Sequence, residues 1–144
     1  MVRADNENER LVLEFFTVLS TGDLERVRPL LHDQVSWIPQ VKDIPGAGEY
    51  HGKKGVIDDF LAPVRGMFAP GDPKTTVNNI VSKGPLVMVE SKGLGKLADG
   101  RTYENRYAWA IEIRDGKIAG KVDLTLAGLD RAARTEGQQA GAKS

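Results

Sequence analysis

The 144-residue sequence predicts an α+β domain in which a curved antiparallel sheet forms a cone around N-terminal helices. The first half of the chain carries apolar residues at helical spacing, which predicts helices ahead of the sheet. The second half carries runs of alternating side chains joined by short links of turn-forming residues, and this pattern is typical of antiparallel hairpins. The wide end of such a cone is a natural site for a small molecule.

Three helices are predicted in the first half. Asp5 or Asn6 can cap the first, whose apolar stripe includes Phe15. Asp23 caps a short second helix, and a third spans roughly 53–67. The helices therefore precede the main sheet in the chain.

A short strand and a long loop separate the second and third helices. The strand covers 35–38, and the loop that follows it is rich in glycine and proline. Long loops of this kind often form lids or rims around a site. Pro63 predicts a kink or an early end of the third helix.

Strands in series are predicted after the helices. Links at 83–85, 98–100 and 115–116 contain glycine or proline and favour antiparallel hairpins. No internal boundary is visible, so residues 1–126 are expected to form one domain, and 127–144 a tail rich in Ala, Gly and Gln. The predicted strands are 74–82, 86–96, 102–114 and 117–126.

The composition excludes several classes of function. Lys plus Arg equals Asp plus Glu at 20 each, so no basic excess is present to bind nucleic acid or an anionic membrane. The absence of cysteine excludes disulfides, thiol catalysis and Cys-ligated zinc, and two histidines make a metal site unexpected. Without an apolar signal core or membrane span, the chain is expected to be a soluble cytoplasmic protein.

The predicted strand 102–114 carries the strongest signal of a site. Its alternate positions combine aromatic rings with an amide, and charged residues fill most of the positions between them. Such a face is more polar than packing requires and predicts the lining of a pocket for a small apolar ligand. The lining positions are Tyr103, Asn105, Tyr107 and Trp109.

Three segments resemble the nuclear transport factor 2-like superfamily, and within it the SnoaL-like branch. They are VSWIPQVKDIPGAGEYHGKKGVIDDF, VMVESKGLGKLADGRTYENRYAWAIEI and DGKIAGKVDLTL. The branch holds polyketide cyclases, ketosteroid isomerase-type proteins and limonene-1,2-epoxide hydrolase. The resemblance covers about residues 8–126 and implies a cystatin-like α+β barrel. It also implies a homodimer formed through the outer sheet face, where Arg106, Ala108, Ala110 and Glu112 are expected.

The resemblance places a catalytic carboxylate at Asp123. Epoxide hydrolase-like members carry an aspartate a few residues after Gly-Lys-Ile, and the polyketide cyclases carry an acid/base aspartate there. An apolar cone disfavours the charged form of a carboxyl group and brings its proton exchange toward neutral pH. The alternative is an exposed residue, because Asp123 shares its parity with Lys121 and Thr125. A β-bulge would reverse that parity.

The hydrolase also carries an Arg-x-Asp pair on the preceding meander strand. In this chain the matching positions hold Ser91 and Gly93, which weakens the hydrolase interpretation. Glu90, next to them, shares the parity of Leu86 and Met88 and is expected to point inward as a second catalytic carboxylate. The alternative is an ion pair between Glu90 and a basic residue of a neighbouring strand.

Two further aromatic residues are candidates for ligand contact. Trp37 and Tyr50 can close the mouth of the cone or fix the glycine-rich loop in place. The leading hypothesis is therefore an enzyme without a cofactor, which uses Asp123 for a cyclisation, isomerisation or hydration. A non-catalytic binding protein or dimeric scaffold is the alternative, and epoxide hydrolysis is the third.

Overall fold

The computed structural model of the chain describes the backbone of residues 2–39 and 47–125, with side chains as far as residue 120. The predicted tail and residues 40–46 of the predicted loop lie outside the described residues. The described elements are α1 (Glu7–Leu19), α2 (Leu24–Val27), a 3-10 turn (Arg28–Leu30), β1 (Leu31–Pro39), β2 (Tyr50–His51), α3 (Gly52–Lys54), a π-helical segment (Gly55–Leu61), α4 (Ala62–Arg65), β3 (Lys74–Lys83), β4 (Leu86–Lys96), β5 (Thr102–Arg114) and β6 (Lys117–Thr125).

The predicted third helix consists of three consecutive parts. α3 leads into the π-helical segment, which leads into α4. Pro63 is the second residue of α4 and lies two residues before the end of the helical region. The helical region ends at Arg65, two residues before the approximate bound that the sequence predicted.

The six strands of the described residues form one curved sheet in the order β2-β1-β6-β5-β4-β3. The chain from β3 to β6 is an antiparallel meander, as predicted, and β2 is antiparallel to β1. β1 runs parallel to β6, which the sequence did not indicate. The α+β class and the curved sheet of the prediction are confirmed.

A β-bulge interrupts β6 where it pairs with β5. Ile118 lies opposite Ile113. Gly120 lies opposite Glu112, so Ala119 is the added residue. One added residue moves every later position of the strand to the other face. From Gly120 onward, each residue of β6 therefore lies on the face opposite to the one that simple alternation from Ile118 would give.

A reciprocal cap begins α1 and ties it to the sheet. Asn6 Oδ1 accepts the N–H of Glu9 at 2.9 Å, and the Glu9 carboxylate accepts the N–H of Asp5 at 2.9 Å. The Ser82 hydroxyl on β3 donates to the same carboxylate. The hydrogen bonds that the carboxylate accepts, first from Ser82 and then from the Asp5 N–H, lower the pKa of Glu9 below its ordinary value. The cap therefore stabilises both the helix and its contact with β3.

One hydrophobic core joins the helices to the concave face of the sheet. Side chains of α1 and of the π-helical segment pack there against alternate residues of the strands. No helix in the described ranges is both long and apolar enough to cross a membrane. The fully buried core residues include Val12, Phe15, Val56, Ile57, Val87, Ile111 and Ile118.

Candidate active site

The inner face of β5 changes character along the strand. Ile111 and Trp109 are buried in the core, and Asn105 is buried with only 1% of its surface exposed. Tyr103 and Tyr107 flank Asn105 and are half-buried. The predicted common face of these residues is confirmed, with its polar part toward the beginning of β5.

Tyr103, Asn105 and Tyr107 form a hydrogen-bonded group, which we call the Tyr-Asn-Tyr cluster. Asn105 Nδ2 donates to Tyr103 Oη at 2.9 Å and to Tyr107 Oη at 3.3 Å. The two tyrosine hydroxyls also bond to each other. Asn105 Oδ1 is buried and has no hydrogen-bond partner in the part of the chain that the structure describes. The cluster thus concentrates polar atoms within an aromatic wall.

The neighbouring strand β4 supports this wall at two small residues. Gly93 lies opposite Asn105, and a Cβ at Gly93 would contact the rings of Tyr107 at 3.4 Å and Tyr103 at 3.6 Å. Ser91 Oγ accepts a hydrogen bond from Trp109 Nε1 at 2.6 Å. In this chain, the two positions that match the hydrolase Arg-x-Asp pair therefore support the wall. Gly93 makes room for the tyrosine rings, and Ser91 holds Trp109 by a hydrogen bond.

A row of aromatic rings continues from the cluster into the core. Tyr107 packs on Trp109 with 5.3 Å between ring centroids, and Trp109 meets Trp37 edge-on at 6.0 Å. Trp37 packs on Phe60, which packs on Tyr50. Trp37 is 2% exposed and therefore lies in the core, not at the mouth of the cone. Tyr50 lies at the far end of the row and is half-buried.

Sequence reasoning missed some of the residues that shape this wall. Phe68, after α4, packs edge-on against Tyr103 at 4.8 Å, and Phe16 of α1 packs against Trp109 at 5.2 Å. Their signal was only an apolar residue in or near a helix. Long-range packing decides which strand residue such a ring meets, and a single sequence does not carry that information.

Glu90 lies on the outer face of the sheet, so the prediction that it points inward is wrong. Its side chain is exposed, and Glu90 Oε1 accepts a hydrogen bond from Asn79 Nδ2 at 2.6 Å. Leu86 and Met88, which share its parity, are exposed by 43% and 38%. Val89 and its alternate neighbours face the core instead. Both faces of this part of β4 are apolar, which made the parity misleading.

Asp123 lies in β6, and its side chain is outside the described residues. Its backbone position is paired with Trp109 on β5 and with Pro39 on β1. Directly opposite residues in an antiparallel pair share a face of the sheet, so this position lies on the face that carries Trp109. The bulge at Ala119 produces this register.

The histidines lie away from the cluster. His32 Nε2 lies 3.2 Å from Asp115 Oδ2, and His51 bonds to Ser36 at 3.0 Å and to Glu49 at 3.2 Å on the surface. Within residues 2–39 and 47–120, no group of three or more His, Asp or Glu side chains could hold a metal ion.

The family model for the SnoaL-like domain matches residues 12–121, which is most of the chain. The chain belongs to the SnoaL-like domain family. This confirms the resemblance to the SnoaL-like branch of the nuclear transport factor 2-like superfamily. No curated protein matches the sequence.

Solved structures show the same fold at low sequence identity. TerC, co-crystallised with polyporic acid, is 19% identical with a TM-score of 0.75, over 90% of this chain and 99% of that one. A nuclear transport factor 2-like protein of unknown function from Burkholderia pseudomallei is 19% identical with a TM-score of 0.76, over 88% and 97%. A hypothetical protein with a ketosteroid isomerase-like fold from Catenulispora acidiphila, in complex with trimethylamine, is 13% identical with a TM-score of 0.71, over 85% and 92%. These likenesses establish the fold.

Proposed function

We propose that this protein is a cofactor-independent acid/base enzyme that binds a small, largely apolar molecule against the inner face of β5. Asp123 takes a proton from the substrate, or from a water molecule in a hydration, and returns it at another atom of the substrate, which is the proton-transfer part of an isomerisation, a cyclisation or a hydration. The Tyr-Asn-Tyr cluster is the observation that carries the proposal. Two of its members, Tyr103 and Tyr107, are half-buried and keep part of their surface exposed.

Tyrosine hydroxyls are suited to the electrophilic part of such a reaction. A hydroxyl held in place by Asn105 can donate to a carbonyl oxygen as that oxygen gains negative charge. The ring of Trp109 supplies a flat apolar surface beside Tyr107, on which a planar substrate can lie. The wall thus combines a surface for shape with a polar group for orientation.

The register of β6 supports the role of Asp123. Its position lies on the same face of the sheet as Trp109. On the inner face of β5, Trp109 is the residue next to Tyr107. Two structural neighbours were solved with the small molecules polyporic acid and trimethylamine, which supports ligand binding in this fold. A carboxylate on an apolar wall, near hydrogen-bond donors, fits proton transfer next to a carbonyl group.

The proposal can be tested without knowing the substrate. The probe is 2-tetralone, an apolar aromatic ketone with acidic C–H bonds, and NMR follows the exchange of its C1 protons for deuterium. We expect the wild-type protein to accelerate the exchange. Asp123→Asn should reduce this acceleration by about 10²–10⁴-fold, the range of general acid–base catalysis, while calorimetry gives an unchanged Kd.

Glu90→Gln is the matched control for this experiment. It also replaces a carboxylate by an amide, but on the outer face of the sheet. The exchange rate should therefore equal that of the wild type. Equal rates for wild type and Asp123→Asn would refute catalysis by Asp123. Loss of exchange in Glu90→Gln would contradict the assignment of the two faces.

A non-catalytic ligand-binding protein or dimeric scaffold is the second candidate. The outer face of β3 and β4 exposes large apolar residues, with Val81 exposed by 63% and Leu94 by 48%. Val81 lies opposite Met88, which lies opposite Ala110 on β5. This apolar row supports a homodimer formed through the outer face.

Sedimentation tests the dimer directly. We expect a dimer at micromolar concentration that Met88→Lys converts to monomers, because the charge would be buried at the interface. Met67→Lys is the control, since Met67 is also exposed but lies off the sheet, after α4. A monomeric wild type would refute the dimer and leave the binding proposal intact.

Epoxide hydrolysis remains the third candidate and has the least support. Ser91 and Gly93 occupy the positions of the Arg-x-Asp pair, and neither can polarise water or an epoxide as that pair does. The cytoplasmic location expected from the sequence stays a prediction.

A further inference from the structure

We propose that Asn105 determines specificity by accepting a hydrogen bond from a hydroxyl group on the ligand, so that the site selects planar apolar molecules that carry a phenol or an enol. This inference rests on the proposed binding function and names the chemical class of its ligand. It assigns to Asn105 the role of a hydrogen-bond acceptor.

The hydrogen bonds of Asn105 leave only its carbonyl oxygen for a ligand. A side-chain amide has two N–H donors and one acceptor oxygen. Both donors are directed to the hydroxyls of Tyr103 and Tyr107, at 2.9 and 3.3 Å. Oδ1 has no hydrogen-bond partner among the described residues, and water does not reach it, because Asn105 is only 1% exposed. A buried acceptor without a donor is unfavourable, and a ligand hydroxyl would remove that cost.

The opposite orientation of the amide fits the contacts less well. The two tyrosine hydroxyls bond to each other, which places one hydroxyl proton between their oxygens. With Oδ1 turned toward the tyrosines, one hydroxyl proton at most would remain to bond it, and Nδ2 would lose both acceptors. The orientation with Nδ2 on the tyrosines makes more hydrogen bonds, and it is the one that presents Oδ1.

The surroundings of Oδ1 favour a neutral hydroxyl on a flat molecule. The rings of Tyr103 and Tyr107 lie beside Asn105, and Trp109 extends the aromatic surface. Gly93, opposite Asn105, leaves the space that the rings of Tyr103 and Tyr107 occupy, so the aromatic surface continues beside the amide. An aromatic ring can therefore lie along the wall while its hydroxyl reaches the amide oxygen.

The test compares two ligands of nearly equal size and shape, 2-naphthol and 2-fluoronaphthalene, of which only the first can donate a hydrogen bond. We expect the wild-type protein to bind 2-naphthol about tenfold more tightly, measured by ligand-detected NMR or calorimetry. Asn105→Ala should remove this preference. Asn79→Ala, the same substitution on the outer face, should keep it.

The outcomes separate this inference from the proposed function. Equal affinity of the two probes for the wild type would overturn the role of Asn105 and leave ligand binding intact. Failure of both probes to bind would contradict the binding function itself, and this inference with it. The wild-type comparison decides the question even where Asn105→Ala fails to fold. A preference that persists in folded Asn105→Ala would also overturn the inference.

Discussion

The two halves of the inner face of β5 follow the same alternation but differ in chemistry. Toward the end of the strand, the side chains of Ile111 and Ile113 are buried in the hydrophobic core. Toward its beginning, Tyr103 and Tyr107 are half-buried and linked through Asn105. This difference indicates that one end of the strand contributes to stability and the other end contributes to a candidate site. Substitutions in the two halves should therefore affect different measurements.

The largest effect on stability is expected in the apolar half. Ile111→Ala should lower the free energy of unfolding by about 2–5 kcal/mol, because it leaves a cavity in a packed core. Urea denaturation measures the loss. In the protein that remains folded, the affinity for 2-tetralone should be unchanged. A selective loss of affinity with little loss of stability would break the division between the halves.

A smaller effect is expected at Glu9, which is far from the candidate site. Its lowered pKa means that its stabilising contribution is present above the ordinary pKa of glutamate, and is lost as the pH falls through the lowered value. Glu9→Gln should cost about 1 kcal/mol at pH 7, since charge-assisted bonds become neutral ones. The difference between variant and wild type should vanish at acidic pH. A constant difference across pH would refute this origin.

A comparably small effect on stability is expected in the polar half. Tyr107→Phe keeps the ring against Trp109 and deletes one hydroxyl from the cluster. The free energy of unfolding should fall by about 0.5–1.5 kcal/mol at most. Ligand affinity or orientation should weaken modestly. A loss as large as that of Ile111→Ala would show that the cluster serves stability first.

The sequence allowed the meander to be predicted closely. β4 and β5 have the predicted bounds, because alternating side chains and glycine-containing turns are local signals. The common face of Tyr103, Asn105 and Tyr107 followed from the same alternation. Local patterns therefore yielded the wall of the candidate site.

Other features depend on contacts that a single sequence does not display. Glu90 was placed on the wrong face because the apolar run before it does not alternate, so either parity fits. The position of Asp123 depends on the bulge at Ala119, which is visible only in the pairing with β5. The parallel pairing of β1 with β6 joins distant parts of the chain. These are properties of strand pairing and not of local composition.

The most direct test of the account is an NMR titration of labelled protein with 2-tetralone. The account predicts that the largest shift changes fall on Tyr103, Asn105 and Tyr107, with small changes at Ile113 and at the outer-face residue Met88. Changes concentrated on the outer face, or at the apolar end of β5, would contradict it.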